Sequence, residues 1–133
     1  MNWIQSLEKL LGSDQVHTDE SIRSNYSSDY TEDLNFLPDA VVKPKTSADV
    51  AAILSFCSAH KIPVTPRGAG TGLSGGSIPV RGGVSLSMEY FNKIIEIDEE
   101  NFQATVECGV INDTFQLAVR EKGLFYPPDP ASK

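Results

Sequence analysis

One twelve-residue stretch dominates the sequence: Pro66-Arg67-Gly68-Ala69-Gly70-Thr71-Gly72-Leu73-Ser74-Gly75-Gly76-Ser77. Its five glycines are interspersed with small side chains, and a single cation stands at its entrance. Glycine adopts backbone conformations that other residues avoid, and it has no side chain to keep a ligand away from the peptide plane. Such a run exposes several N–H groups on one concave surface, which suits a phosphate or a diphosphate.

A flexible linker is the alternative interpretation, since linkers are also rich in glycine and serine. The flanks of this run favour a phosphate loop. Pro66 and Arg67 precede the first glycine, and Leu73 and Ile78 supply apolar anchors. Flexible linkers have no such fixed pattern of residues around their glycines. The sequence therefore predicts a phosphate-binding loop over residues 67–77.

The composition excludes some classes of partner. Of the 133 residues, 40% are hydrophobic and 22% are charged, which is the balance of an ordinary globular domain. The net charge of -7 argues against nucleic acid, which needs a basic face. No apolar run has the length of a membrane span, and the first residues do not resemble a signal peptide. We therefore expect residence in the cytoplasm.

Cysteine and histidine are too sparse to predict a metal site or a disulfide. Cys57 and Cys108 are far apart in sequence, and His17 and His60 are isolated. A disulfide is also uncommon in a reducing compartment. Cys57 falls on the apolar face of a predicted helix, so we interpret it as a core residue rather than a nucleophile.

The patterns along the chain place the glycine loop between two strands. Residues 3–11 predict an amphipathic helix closed by Gly12, and a polar lead-in with one helical turn follows. The later elements are a strand over 40–43, a helix, strands over 62–65 and 83–88, a hairpin over 94–98 and 103–107, and a helix from Asn112 to Gly123. The first of these helices is capped by Thr46 and Asp49, and its buried stripe consists of Val50, Ile53, Leu54 and Cys57.

These elements predict an α+β fold. Residues 40–65 form a strand-helix-strand unit with parallel strands, and the glycine loop follows at the carboxyl end, where parallel sheets bind ligands. Part of an antiparallel sheet comes next, and the helices are expected to pack outside. We predict two segments: an N-terminal helix and polar lead-in over 1–37, and the domain proper over 38–133.

Two familiar nucleotide motifs match the glycine loop but fail on their context. Gly70, Gly72 and Gly75 satisfy G-x-G-x-x-G, yet a dinucleotide fold needs a helix to start there, and Pro79 with the following glycines prevents one. Gly70 and Gly75 also have Walker A spacing, but the lysine of that motif is missing. Nucleotide hydrolysis therefore has little support.

The remaining arrangement, a glycine loop with a strand on each side, resembles a p-cresol-methylhydroxylase-type FAD-binding domain. Within that superfamily the chain is most similar to the FAD-linked oxidases of the glycolate oxidase flavoprotein subunit and D-lactate dehydrogenase group. By this resemblance, residues 38–133 are the N-terminal part of such a domain. The matching stretches are residues 38–44, 62–76, 94–98, 106–110 and 125–130.

The resemblance implies that the loop amides hold the diphosphate of FAD. The implied cofactor-binding residues are Arg67, Gly68, Ala69, Gly70, Thr71, Gly72, Gly75, Gly76, Ser77, Pro128 and Asp129. Arg67 could instead form a structural salt bridge, and Asp129 could instead form a turn. Some relatives attach the flavin through a histidine in this region, but residues 61–133 contain none, so non-covalent FAD is expected.

The function implied is that of a flavin-dependent oxidoreductase, which oxidises a small 2-hydroxy acid such as glycolate or D-lactate. No residue of this chain is assigned as catalytic. We expect the resembled domain to continue beyond this chain. One alternative is therefore a non-catalytic segment that binds FAD weakly or not at all, and another is a different oxidoreductase on the same domain type. Sheet edges without partners would then favour self-association.

Overall fold

The computed structural model describes residues 2–132 and divides the chain into two units, the first ending at Tyr90 and the second beginning at Phe91. The helices are α1 (Trp3–Leu11), α2 (Glu20–Ser24), α3 (Ser47–Ala59) and α4 (Asn112–Glu121). The strands are β1 (Val16–His17), β2 (Ala40–Val42), β3 (Val64–Arg67), β4 (Val84–Ser87), β5 (Ile94–Asp98) and β6 (Gln103–Val106).

The sheet of the first unit has the strand order β1-β2-β4-β3. Strands β2 and β3 are parallel, as predicted, but each pairs with β4 and not with the other. Strand β1 joins the edge antiparallel to β2, with Val16 opposite Val42. The glycine loop leaves the carboxyl end of β3, and the chain then returns to start β4 beside the first residue of β3.

Helix α3 begins where the sequence predicts, because local hydrogen bonds define its start. The Thr46 hydroxyl accepts from the Asp49 amide at 3.1 Å, and the Asp49 carboxylate accepts from the Thr46 amide at the same distance. Such a capping box satisfies two backbone donors that a helix start leaves without partners. Burial raises the pKa of the Cys57 thiol, which lies in the core as predicted.

The core of the first unit joins α1 and α3 to the sheet. Its buried members are Leu7, Val16, Ala40, Val42, Ile53, Cys57, Val84 and Leu86. The prediction for Leu54 was wrong, since this side chain is 46% exposed. Ile53 and Cys57, one helical turn apart, face the core, and Phe56 packs beside them in the place that the sequence assigned to Leu54.

Two further predictions needed correction. The strand predicted from residue 62 begins at Val64, because Lys61 has a left-handed φ of 54° and the Ile62 amide still donates to the Cys57 carbonyl. The predicted polar lead-in contains β1, a strand of two residues that is too short to show a period.

The second unit holds the antiparallel hairpin of β5 and β6, together with α4. The rings of Phe115 and Tyr126 meet edge to face with centroids 4.8 Å apart. An apolar cavity of about 500 Å³ is lined by residues of β5, β6, α4 and the chain that follows. The predicted α+β class, with a parallel strand set and an antiparallel sheet, is confirmed.

Candidate functional site

The glycine loop encloses a concavity of about 350 Å³ at the carboxyl end of β3. Seven of the residues predicted to bind a phosphate lie on its wall, and Leu73 and Ser74 join them. The lining residues are Gly68, Ala69, Gly70, Thr71, Gly72, Leu73, Ser74, Gly76 and Ser77. The structure therefore brings most of the predicted loop residues around one opening.

Several amides of the loop have hydrogen-bonding capacity to spare. Within residues 2–132, the N–H groups of Gly68, Ala69, Gly70 and Gly72 donate to no backbone or side-chain acceptor. Backbone donors without a partner are uncommon in folded proteins unless water or a ligand meets them. A succession of such amides forms a surface suited to an anion.

Two glycines of the loop are required by the fold itself. Gly70 has a φ of 71° and Gly75 a φ of 72°, a conformation that disfavours other residues. A Cβ on Gly70 would lie 2.6 Å from Cζ of Arg67, and a Cβ on Gly75 would lie 2.9 Å from Cδ2 of Leu34. A side chain at either position would be strained by the positive φ and would have to displace a neighbouring side chain.

Two other glycines of the loop have no such explanation in the fold. Neither Gly68 nor Gly76 adopts a positive φ, and a Cβ on either would have no described atom within 4 Å. Both residues line the concavity. The protein leaves open space at these two positions, which a side chain would occupy.

Arg67 lies directly beneath the loop. Its residue is only 8% exposed, its Nη2 donates to the Asn25 carbonyl at 3.2 Å, and its guanidinium lies 5.3 Å from the centroid of the Tyr26 ring. It forms no ion pair with any residue between 2 and 132, and its buried Nη1 has no hydrogen-bond partner there. The salt-bridge alternative for Arg67 therefore gains no support.

The protonation state of Arg67 follows from its surroundings. Burial lowers the pKa of the guanidinium, while Tyr26 and Asp29 act in the opposite direction. A guanidinium is too strong a base to lose its proton at neutral pH, so Arg67 stays positively charged. A buried cation with a free N–H thus lies below a row of free amides.

A second polar cluster gathers at the carboxyl ends of β2 and β4. Glu89 accepts from Tyr26 at 2.7 Å and from Ser87 at 3.1 Å, and it pairs with Lys43 at 2.9 Å. Burial opposes ionisation of Glu89, but the hydrogen bonds from Lys43, Tyr26 and Ser87 outweigh it and lower the pKa of the carboxyl. This cluster fixes Tyr26, whose ring covers Arg67.

The polar lead-in takes part in this site, which no pattern in the sequence predicted. Asn25 and Tyr26 hold Arg67, and the Tyr30 amide donates to the Gly72 carbonyl at 3.0 Å. These contacts join residues about 40 positions apart, and the lead-in has no periodic pattern that would predict them.

Pro128 and Asp129 belong to the second unit. The Pro128 carbonyl accepts from Nε2 of Gln116 at 3.0 Å. The contact of these two residues with a flavin stays a prediction. Cys108, the second of the two widely separated cysteines, is exposed.

Among the residues that the structure describes, no group of three or more histidine, cysteine, aspartate or glutamate side chains could hold a metal ion. No helix between residues 2 and 132 is long and apolar enough to cross a membrane.

Comparison with known proteins identifies similar chains. Residues 38–133 match the FAD binding domain family. The chain is 44% identical over 128 residues to the glycolate oxidase subunit GlcD of Bacillus subtilis (strain 168), covering 96% of this chain and 27% of that protein. It is 42% identical over 96 residues to a D-lactate dehydrogenase of Anaerostipes hadrus, covering 72% of this chain and 20% of that protein.

The fold is similar to that of p-cresol methylhydroxylase with substrate bound. The TM-score is 0.81 with 32% sequence identity, and the match covers 92% of this chain and 24% of that structure. The chain thus spans about a quarter of the length of the proteins it matches.

Proposed function

This chain belongs to the FAD binding domain family, and on that premise we propose that it is the N-terminal, FAD-binding portion of a flavin-dependent oxidoreductase of 2-hydroxy acids. Residues 67–77 hold the FAD diphosphate in this proposal. The family match covers residues 38–133, and its relatives include proteins named for glycolate and D-lactate. Both of these compounds are small 2-hydroxy acids.

The observation that carries the proposal is the pair of glycines that the fold does not require. Gly68 and Gly76 leave open space on the wall of the concavity, as a site does when a ligand approaches the backbone closely. The free amides beside them match the donors that phosphate oxygens accept from, and the buried Arg67 cation lies beneath them. The residues present therefore fit a diphosphate.

The chain's own residues would bind and orient the cofactor. The amides of Gly68, Ala69, Gly70 and Gly72 would donate to phosphate oxygens, and the Arg67 guanidinium would offset their charge from below. When bound, FAD supplies the capacity to accept a hydride equivalent from the hydroxyl-bearing carbon of the substrate. With no histidine between residues 61 and 133, this part of the chain would hold it without a covalent bond.

The second candidate is a segment that binds FAD weakly or not at all by itself. The concavity is lined by residues of the glycine loop alone, and these reach only the phosphates of so long a ligand. A partial site makes fewer contacts to offset the entropy that the ligand loses on binding, and it therefore binds the ligand more weakly. A different oxidoreductase on the same domain type would share the loop and differ in substrate.

Two further features are proposed. Strands β1 and β3 are the edges of their sheet, and both strands of the β5–β6 pair have one open side, so we propose that copies of the chain associate through these edges. We also propose residence in the cytoplasm, since the two cysteines are too far apart and too few for a disulfide framework.

A titration with two flavins tests the proposal. FAD and riboflavin share the isoalloxazine ring, but only FAD carries a diphosphate. We expect the purified chain to quench FAD fluorescence saturably, with riboflavin bound at least about tenfold more weakly and inorganic pyrophosphate competing with FAD. A chain that binds neither FAD nor pyrophosphate would favour the second candidate, and equal affinity for the two flavins would remove the role given to the loop.

A further inference from the structure

The ring of Tyr26 lies near two cations of the first unit. Cζ of Arg67 is 5.3 Å from the ring centroid, and Nζ of Lys43 is 5.7 Å from it. Both distances fall within the roughly 6 Å over which the negative face of an aromatic ring attracts a cation. The Tyr26 hydroxyl donates to Oε1 of Glu89 at 2.7 Å, and the same oxygen pairs with Lys43 at 2.9 Å. Tyr26 is therefore held through its ring and through its hydroxyl.

Arg67 connects the Tyr26 ring to the backbone of the glycine loop. A Cβ on Gly70 would lie 2.6 Å from Cζ and 2.9 Å from Nε of Arg67, so the guanidinium packs directly against the Gly70 backbone. Nη2 of the same group donates to the Asn25 carbonyl at 3.2 Å. Two consecutive residues of the lead-in, Asn25 and Tyr26, therefore hold the Arg67 cation against the loop.

The guanidinium contacts the loop at a turn. Gly70 has a φ of 71°, and its amide is one of the loop donors that find no acceptor in the part of the chain that the structure describes. Two residues later, the Gly72 carbonyl accepts from the Tyr30 amide at 3.0 Å, so the lead-in fixes the loop at a second point. Donors that are already ordered lose less entropy when they bind an anion. A guanidinium held beneath Gly70 therefore favours diphosphate binding by its charge and by ordering the loop.

We propose that Tyr26 is a positioning residue of the diphosphate site, whose ring holds the Arg67 guanidinium beneath Gly70 and so keeps the loop amides ordered for phosphate. The inference rests on the function proposed above. It extends the site beyond the family match, which begins at residue 38. Tyr26 does not line the concavity, so its effect reaches the ligand through Arg67.

Substitutions of Tyr26 in the full chain test this role, with FAD affinity measured by fluorescence and pyrophosphate affinity by competition. Y26F keeps the ring and removes the hydroxyl, whereas Y26L removes the ring. We expect Y26L to bind FAD and pyrophosphate at least about fivefold more weakly, and Y26F to stay within about twofold of the wild type. Y90L is the matched control, because Tyr90 is 42% exposed and does not line the concavity; it should bind both ligands as the wild type does.

A double-mutant cycle with R67M shows whether Tyr26 acts through Arg67. Methionine keeps an unbranched apolar side chain and removes the cation that the ring attracts. We expect R67M to bind FAD at least about fivefold more weakly, and the Y26L/R67M double variant to stay within about twofold of R67M alone. A double variant whose loss is the product of the two single losses would mean independent roles, and would overturn the inference.

The outcomes separate this inference from the proposed function. A wild-type chain that binds neither FAD nor pyrophosphate overturns both. Wild-type binding with unchanged affinity in folded Y26L overturns the inference alone, as does a Y26F variant as weak as Y26L, or a loss in Y26L confined to FAD.

The unfolding midpoint, followed through Trp3, shows which variants remain folded. If Y26L does not, Y26M replaces it, and loss of the fold in both overturns the inference by making Tyr26 a residue of the fold alone. If R67M does not fold, the comparison of the Tyr26 variants with the wild type decides.

Discussion

Alanine at Gly70 should lower the stability of the fold, whereas alanine at Gly68 should lower the affinity for FAD, although both residues line the same concavity. At Gly70 the φ of 71° costs a side chain about 1–2 kcal/mol. The new Cβ would also displace Arg67, whose charged hydrogen bond to the Asn25 carbonyl is worth about 1.5–3 kcal/mol. We expect G70A to lower the free energy of unfolding by about 2.5–5 kcal/mol, a large part of the roughly 5–15 kcal/mol that stabilises a typical domain.

At Gly68 the same substitution meets no described atom within 4 Å and no positive φ. G68A and G76A should therefore change the free energy of unfolding by no more than about 0.5 kcal/mol. Their Cβ atoms would instead occupy the space proposed for the diphosphate. We expect FAD affinity to fall at least about tenfold in both variants, which corresponds to about 1.4 kcal/mol of binding free energy.

Urea denaturation followed by tryptophan fluorescence measures the stability of the first unit, since Trp3 is the single tryptophan and packs against the core of that unit. G83A is a reference for a purely structural glycine. Gly83 has a φ of 74°, and its Cβ would lie 3.0 Å from the carbonyl carbon of Pro63, away from the concavity. Wild-type FAD affinity in folded G68A and G76A, or wild-type stability in G70A, would contradict these predictions.

Three other predictions concern the rest of the chain. Burial of Glu89 favours the neutral acid, but its hydrogen bonds, the one from Lys43 foremost, outweigh burial and lower the pKa of the carboxyl. Ionised Glu89 therefore stabilises the folded chain above the unfolded pKa of about 4.3. This contribution is lost as the pH falls through the pKa of the folded state. Because Glu89 is 44% exposed, E89Q should lower the free energy of unfolding at pH 7 by only about 0.5–1 kcal/mol. The free energy of unfolding measured in urea should then fall less steeply with decreasing pH in E89Q than in the wild type. An equally steep fall in both would contradict the role given to Glu89. T46A should lower the free energy of unfolding by about 1 kcal/mol by removing the helix cap, and a change below a few tenths in the same assay would argue against it. A thiol reagent should modify Cys108 at once and Cys57 only on unfolding, because Cys108 is exposed and Cys57 is buried with a raised pKa; two fast thiols in the native chain would exclude this.

The sequence predicted those features that neighbouring residues determine. The cap of α3 at Thr46 and the end of α1 at Gly12 follow from hydrogen bonds within one helical turn. The glycine loop could be located because its composition is unusual and Pro79 prevents a helix after it. Its division into structural and open glycines could not be predicted, since it depends on Arg67 and Leu34, side chains that only the folded chain brings near.

The order of strands in the sheet was beyond the reach of these patterns. Alternation and turn residues predict where a strand lies, but not which strand becomes its neighbour. Strand β4 therefore gave no sign that it pairs with both β2 and β3. The role of the lead-in was missed for the same reason, since the contact of Asn25 with Arg67 joins residues far apart in sequence.

The central position of β4 has a consequence for the order of folding. Strands β2 and β3 precede it in the chain, yet neither has a parallel partner until residues 84–87 are available. Contacts between distant residues form slowly, because a long loop must close before they contribute. We therefore expect β2 and β3 to join one sheet only when β4 inserts between them. The same step anchors both ends of the glycine loop, so the candidate site and the sheet would become ordered in a single event.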